Sequence, residues 1–367
     1  MKIMDTKSLF FKLLSAASIT PDDAGIFDFV EKYLSDFNSL RIDKNGVKNL
    51  FLSKKFGDGI HLCFAGHVDV VPAGENWESN PFIPTEKDGF IYARGAQDMK
   101  SGVCAFLQAC KNTKNFNGTL SILLTSDEEG DAKYGTIEVL KYLKDKKMLP
   151  DFALIAEPTC ENTFGDTIKI GRRGSINGTL VIEGIQGHAA YPQKTRNPIH
   201  QISPFLMKIC GHYLDDGDEF FAPSQIVATD IRAGYEVTNL TPNSLKLMFN
   251  VRNSEKTSLH DIKNYINEVF GSLKYELSIK QSAKPFLTDK NSKIIKELQK
   301  IIKEKLDISP VLSTSGGTSD ARFFGEFNIP CVEFGVKNDT IHASNERCSF
   351  HEIEKLEEIF TDLIKKF

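Results

Sequence analysis

The sequence is short of the features that mark several large protein classes. Its seven cysteines (Cys63, Cys104, Cys110, Cys160, Cys210, Cys331 and Cys348) are odd in number and form no C-x-x-C pair. That argues against a disulfide framework and against a thiolate zinc site. No apolar run approaches the ~18 residues a membrane span needs. The opening stretch MKIMDTKSLFFKLLSAASIT carries Asp5 and is interrupted by Lys12, so it reads as an amphipathic first helix and not as a secretory leader. Charge of one sign is also missing. The 45 basic and 49 acidic residues are spread along the chain, for a net charge of −4. With no basic block, neither nucleic acid nor an anionic membrane is an expected partner. There is no internal repeat and no low-complexity linker. The expected setting is the reduced cytoplasm, where cysteine in an apolar run acts as a small hydrophobe.

What is present is an alternation of short apolar strands with amphipathic helices. A helix near 22–34 precedes the strand-like stretches NLFLSKK and IHLCFAG. SGVCAFLQACKN has helical periodicity, TLSILLTS is a buried strand, TIEVLKYLKDKK a helix and DFALIAEP another strand. Such alternation predicts an α/β domain with a mostly parallel sheet. From Ser175 the style changes. Strand INGTLVIEGIQG, helix PIHQISPFLMKICGHYL, strands SQIVATDIRAG and NSLKLMFNVRN, helix SLHDIKNYINEVFG and strand YELSIKQS give the order βαββαβ, the ferredoxin-like α+β arrangement. Helix KIIKELQKIIKEKL and strand PCVEFG then resume the first style. The expected organisation is a catalytic domain made of 1–174 and 285–367, with a smaller domain, 175–284, inserted in it.

On this sketch the acidic and imidazole residues gather just past predicted strand ends. His67 and Asp69 follow IHLCFAG, and Asp98 follows FIYARG. Glu128 and Glu129 follow TLSILLTS, Glu157 ends DFALIAEP, and His342 follows PCVEFG. Carboxyl ends of parallel strands are where open α/β sheets hold ligands. Singly, each has an ordinary reading: Asp98 as a helix N-cap, Glu128 and Glu129 as acids favoured by a helix dipole, Glu157 in a turn before proline, His342 in a loop. Together they fit two metal ions. Two histidines and three carboxylates, one of them shared, give each ion three ligands and leave room for a water. Nitrogen and oxygen donors suit Zn²⁺ in an open hydrolytic site. Of the adjacent acids Glu128 and Glu129, one is free to shuttle protons.

The motifs GHVDVVPAG, ARGAQDMKSG, TSDEEG, AEPT, GRRGSINGTLVIEGIQGHAAYP, SGGTSDARF and DTIHASNE resemble, nearly end to end, those of the di-zinc family of aminoacylases, glutamate carboxypeptidases and acetylornithine deacetylases. The resemblance implies a zinc-exopeptidase-like catalytic domain with an inserted dimerisation (lid) domain. It implies two Zn²⁺ per subunit, Co²⁺ being an admissible substitute in one site. Asp98 would bridge both ions, His67 and Glu157 would complete one shell, and Glu129 and His342 the other. Asp69 would hold the His67 ring in its ligating tautomer, and Glu128 would move the proton. The peptide after Asp98 is expected to be cis.

By the same resemblance His188 would stabilise the oxyanion in the site of a second copy, making the protein a homodimer. Arg172, Tyr191, Asn239, Arg252, Gly317, Thr318, Arg322 and Asn338 would line the substrate site, where guanidinium groups suit a substrate rich in carboxylates. His61, His200, His212, His260 and His351 match no motif. Within the family, GRRGSI and SGGTSDARF favour an enzyme that removes succinate from N-succinyl-L,L-2,6-diaminopimelate. Rival expectations are an acetylornithine deacetylase, a general aminoacylase, or an inactive metal-binding relative.

Overall fold

The computed structural model describes residues 4–367. The chain divides into two compact units, one of Met1–Gly171, Leu287–Ser313 and Ser319–Phe367, the other of Arg172–Phe286 and Thr314–Thr318.

The first unit is built on eight strands: β1 (Asn38–Arg41), β2 (Asn49–Lys55), β3 (Ile60–His67), β4 (Gly118–Thr125), β5 (Phe152–Ile155), β6 (Thr167–Lys169), β7 (Val311–Ser313) and β8 (Cys331–Glu333). Their spatial order is β1-β2-β4-β3-β5-β8-β6-β7. The central run β4-β3-β5-β8 is parallel, while β1 and β2 on one side run antiparallel. β3 and β4 are almost continuously apolar because helices cover both faces of a parallel sheet. Phe64 of β3 lies 5.9 Å from the Phe106 ring of helix Lys100–Asn112 and 5.3 Å from Phe360 of helix Phe350–Lys366. Helix Lys293–Leu306 buries Ile294, Ile295, Leu298, Ile301 and Ile302, one stripe at helical spacing, and leaves its lysines outward. Among the described residues no helix is long and apolar enough to cross a membrane.

The second unit is a four-stranded antiparallel sheet. Numbered along the chain, its strands Ser175–Glu183, Ile226–Ala233, Ser244–Val251 and Glu276–Ala283 lie in the order 4-1-3-2. That is the ferredoxin-like arrangement. Helix Leu259–Phe270 opens with a capping box between Ser258 and Asp261 and packs Ile262, Ile266 and Phe270 against Leu180, Leu247 and Phe249. The other predicted helix, over 198–214, is not continuous. It breaks into Pro198–Ile202, a 3₁₀ turn Ser203–Phe205 and Leu206–Ile209. Pro204 has no N–H to give and its ring clashes with the preceding turn, so the periodic apolar pattern is served by two short helices.

One close approach in the first unit bears directly on the site. Gly102, in helix Lys100–Asn112, sits so near the end of β5 that an added Cβ would lie 2.2 Å from the Ala156 carbonyl oxygen. Replacing glycine in a helix by alanine ordinarily stabilises by about 1 kcal/mol. Here Gly102→Ala is expected to destabilise the chain by about 1–3 kcal/mol, because the helix must move off the strand. A lowered urea midpoint checks this, and an unchanged or higher one contradicts it.

Candidate active site

The parallel strands end on one side of the sheet, and most of the predicted site residues leave from there. His67 is the last residue of β3, Glu128 and Glu129 follow β4, Glu157 follows β5, and His342 lies in the loop after β8. Asp98 arrives by another route. The strand before it, Phe90–Tyr92, belongs to a separate three-stranded antiparallel sheet with Thr85–Lys87 and Arg347–Ser349, so its position is not set by the main sheet. Nor is Asp98 an N-cap: Met99 holds that position in helix Lys100–Asn112, without a side-chain cap bond. The Asp98–Met99 peptide is cis. Glu128 and Glu129 lie in a turn well before helix Thr136–Asp145, which removes the helix-dipole explanation for them.

Asp98 stands between two imidazoles. Its Oδ1 is 3.1 Å from His67 Nε2, and its Oδ2 is 3.4 Å from His342 Nε2. Glu129 Oε1 lies 2.8 Å from His342 Nε2, and Glu157 Oε1 3.9 Å from His67 Nε2. Donor atoms of His67, Asp98 and Glu129 all fall within 4.8 Å of one another. Behind them Asp69 makes two kinds of contact. Its main-chain carbonyl is 2.8 Å from His67 Nδ1. A carbonyl only accepts, so Nδ1 carries a proton, and Nε2 is left to donate to Asp98 in the metal-free protein or, once deprotonated, to ligate a metal. The Asp69 carboxylate accepts instead from the amides of Glu128 (3.4 Å) and Glu129 (3.1 Å), which joins the ends of β3 and β4.

The electrostatics are those of a site crowded with negative charge. Burial raises the Glu128 carboxyl well above its ordinary range, and the charges of Asp320, Glu129 and Asp98 add to this against the pull of His67. Burial and then the Asp98 charge raise Glu157 in the same way. Burial disfavours the His67 imidazolium, but the Asp98 hydrogen bond and the charges of Glu157 and Asp69 outweigh it and raise the ring well above its usual value. Hydrogen bonds to Asp98 and Glu129 raise His342 to about 10. Asp98 is pushed up by burial, yet its bonds to both histidines hold it well below the usual carboxylate range. Protons are thus retained where cations would otherwise balance five clustered carboxylates, and the N/O donor set fits divalent metal ions.

The remaining predicted residues fall into separate groups. In the second unit His188, Tyr191 and Asn239 come together. The His188 and Tyr191 ring centroids are 5.8 Å apart, and the Ala189 amide donates to the Asn239 carbonyl. The Ala190 amide donates to His188 Nδ1 at 3.1 Å, so in the neutral ring the proton sits on Nε2. Also in that unit, Arg172 donates to the Ser315 carbonyl at 2.8 Å and Arg252 to Thr318 Oγ1 at 3.2 Å, which brings both arginines to the loop that contains Gly317. Arg322 and Asn338 belong to the first unit. The Arg322 guanidinium lies over the Phe323 ring, and the Asn338 amide donates to the Cys160 carbonyl. Of the histidines without a motif, His61 bonds Ser121 at 2.7 Å and His212 stacks on Tyr265.

Among the buried charged residues left unassigned from sequence, three lie in the motifs that carry the site. Asp320 accepts from Thr136 Oγ1 at 2.6 Å, and burial raises its carboxyl to about 6. Arg94 and Glu346 form an ion pair at 2.8 Å, each almost completely buried. All three lie inside motifs already noted, but a charge in a motif carries no mark of being buried.

The model of peptidase family M20/M25/M40 matches residues 63–366. The chain belongs to that family. A succinyl-diaminopimelate desuccinylase of Nitratiruptor sp. is 61% identical over 364 residues, 99% of this chain and 100% of its own. One of Nautilia profundicola is 60% identical over the same shares. Among solved structures, an aminopeptidase, PepT, from Bacillus cereus aligns with a TM-score of 0.82 at 19% identity, covering 98% of this chain and 97% of its own. A Bacillus subtilis protein described as a dinuclear metal binding peptidase from the M20 family aligns with a TM-score of 0.73 at 14% identity, over 98% and 96%. These neighbours share the fold, a mostly parallel catalytic sheet with a second α+β domain.

The raised groups set a pH dependence for the metal-free protein. A group whose folded pKa lies above its unfolded value contributes stability that is complete below the unfolded value and is lost as pH rises through the folded one. For Glu128 and Glu157 the loss begins above 4.5, and for His67 and His342 above 6.5, ending near 10 for His342. Depressed Asp98 acts oppositely, but below its ordinary 3.8. The melting temperature of chelator-treated protein is therefore expected to fall between pH 6.5 and 10, and zinc is expected to reduce that fall. A flat or rising profile without metal contradicts the charge crowding.

Proposed function

We propose that this protein hydrolyses the amide of N-succinyl-L,L-2,6-diaminopimelate to succinate and L,L-diaminopimelate, a step toward diaminopimelate and lysine. The observation that carries the reading is full-length likeness to relatives bearing the name succinyl-diaminopimelate desuccinylase. The nitrogen and oxygen donors suit divalent metal, and on this reading His67 and Glu157 would hold one zinc ion and Glu129 and His342 a second, with Asp98 a ligand to both. When bound, such ions polarise the amide carbonyl and acidify a water.

The chain's own groups do the rest. Glu128 has no ligand role in this scheme, and burial raises its carboxyl well above the ordinary range. It takes a proton from the attacking water and delivers it to the departing nitrogen. Asp69 holds the His67 ring through its carbonyl and the Glu128–Glu129 backbone through its carboxylate. His188, with its proton on Nε2, is a donor for the oxyanion in a partner copy's site. Arg172 and Arg252, beside Gly317 and Thr318, are the candidates for binding the substrate's carboxylates, and Tyr191, Asn239, Arg322 and Asn338 are proposed as further substrate-binding residues. A homodimer through the second unit is supported by the outer strand Ile226–Ala233, whose Val227 and Ile231 are about half exposed, as are Tyr235 and Val237 just beyond it. A cytoplasmic setting accords with seven unpaired cysteines, six of them buried.

The test is kcat/KM of the zinc-loaded protein on N-succinyl-L,L-diaminopimelate and on N-acetyl-L-ornithine side by side. A preference of several hundredfold, roughly 3–4 kcal/mol of transition-state binding, is expected for the succinyl substrate. Preference for the acetyl substrate overturns the assignment and leaves the metal centre standing. Glu128→Gln is expected to lower kcat by at least about 10²–10⁴-fold while zinc content stays near that of the unaltered chain. Substantial turnover by that variant removes Glu128 from the mechanism.

A further inference from the structure

The loops that carry Asp98 and His342 come from distant parts of the chain, and a buried ion pair crosses between them. Arg94 is 2% exposed and Glu346 not at all. The Glu346 carboxylate accepts from the amides of Gly95 (2.9 Å), Gln97 (2.8 Å) and Asp98 (3.0 Å), and from Arg94 Nη1 (2.8 Å). Arg94 in turn donates to the carbonyls of His342 (3.3 Å), Ala343 (3.2 Å) and Ala73 (3.0 Å). Glu346, four residues after His342, therefore holds the amide of Asp98, while Arg94, four residues before Asp98, holds the carbonyl of His342. Gln97 adds a second tie. Its side-chain amide donates to Asp339 at 2.5 Å, and its carbonyl accepts from the Thr340 amide and hydroxyl, each at 2.8 Å.

A buried ion pair is a poor way to add stability, since desolvating two charges offsets most of their attraction. It is a good way to specify geometry when one carboxylate gathers several amides of one loop and its partner gathers carbonyls of another. The main sheet does not position Asp98, so something else must. We infer that the crossed Arg94–Glu346 pair, with Gln97, is a positioning device that sets the separation of Asp98 and His342 and thereby the affinity of the site for its ions. This rests on the reading of Asp98 and His342 as metal ligands.

The experiment titrates zinc into metal-free protein against a competing chelator and records thermal unfolding of the same metal-free samples. It uses the unaltered chain, Glu346→Gln, Gln97→Ala, and Leu298→Ala as a core variant outside this network. Glu346→Gln keeps the side chain's size but sets an N–H against a loop that needs an acceptor. It is expected to weaken zinc binding about 10–100-fold, well beyond Leu298→Ala at a comparable loss of melting temperature. Gln97→Ala, which leaves the ion pair in place, is expected to weaken zinc binding with little change in melting temperature, and it decides the question if Glu346→Gln fails to fold. Zinc affinities equal to that of the unaltered chain, or no weaker than in Leu298→Ala, overturn the inference. Failure of the unaltered chain to bind zinc overturns instead the metal reading beneath it.

Discussion

Asp98 turns one carboxylate oxygen toward His67 and the other toward His342, and much of the first unit is arranged to keep it there. Both histidines bring Nε2 to it, Glu129 lies beside His342 Nε2 and Glu157 near His67 Nε2, and the nearest backbone is tied by hydrogen bonds to groups that carry no chemistry of their own. An arrangement with so many carboxylates is unfavourable without cations. The protein meets that cost with protons, held by raised histidines and glutamates, until ions replace them.

Three devices share the positioning. The parallel sheet delivers His67, Glu128, Glu129 and Glu157 because adjacent parallel strands end together. Asp69 locks two of those ends, with its carbonyl on the imidazole and its carboxylate on the following turn. The buried Arg94–Glu346 pair joins the two loops that the sheet does not control. Close packing completes the frame, as at Gly102, where the helix after Asp98 meets the backbone next to Glu157 with no space for a side chain.

The second unit uses different physics. Its antiparallel sheet has one face on Ile262, Ile266 and Phe270, and an outer strand whose far side is open. It carries the exposed His188 and Tyr191, and the arginines that bond the 314–318 loop. These groups sit on an α+β scaffold separate in architecture from the parallel sheet that carries His67, Glu129 and Glu157.

Periodicity was enough to read most of the fold from the residues. The near-continuous apolar runs of β3 and β4 marked a buried parallel sheet, and the order βαββαβ marked the second unit, because those patterns are direct consequences of which faces must be dry. Pro204 was visible in the sequence, yet only the structure placed the break it makes in the 198–214 helix. The convergence of His67, Glu128, Glu129, Glu157 and His342 was legible because strand direction is. The position of Asp98, the use of the Asp69 carbonyl in place of its carboxylate, and the pairing of Arg94 with Glu346 were not. Those depend on where loops meet after the chain has folded, and a hydrogen bond between residues some 250 positions apart leaves no local pattern to find.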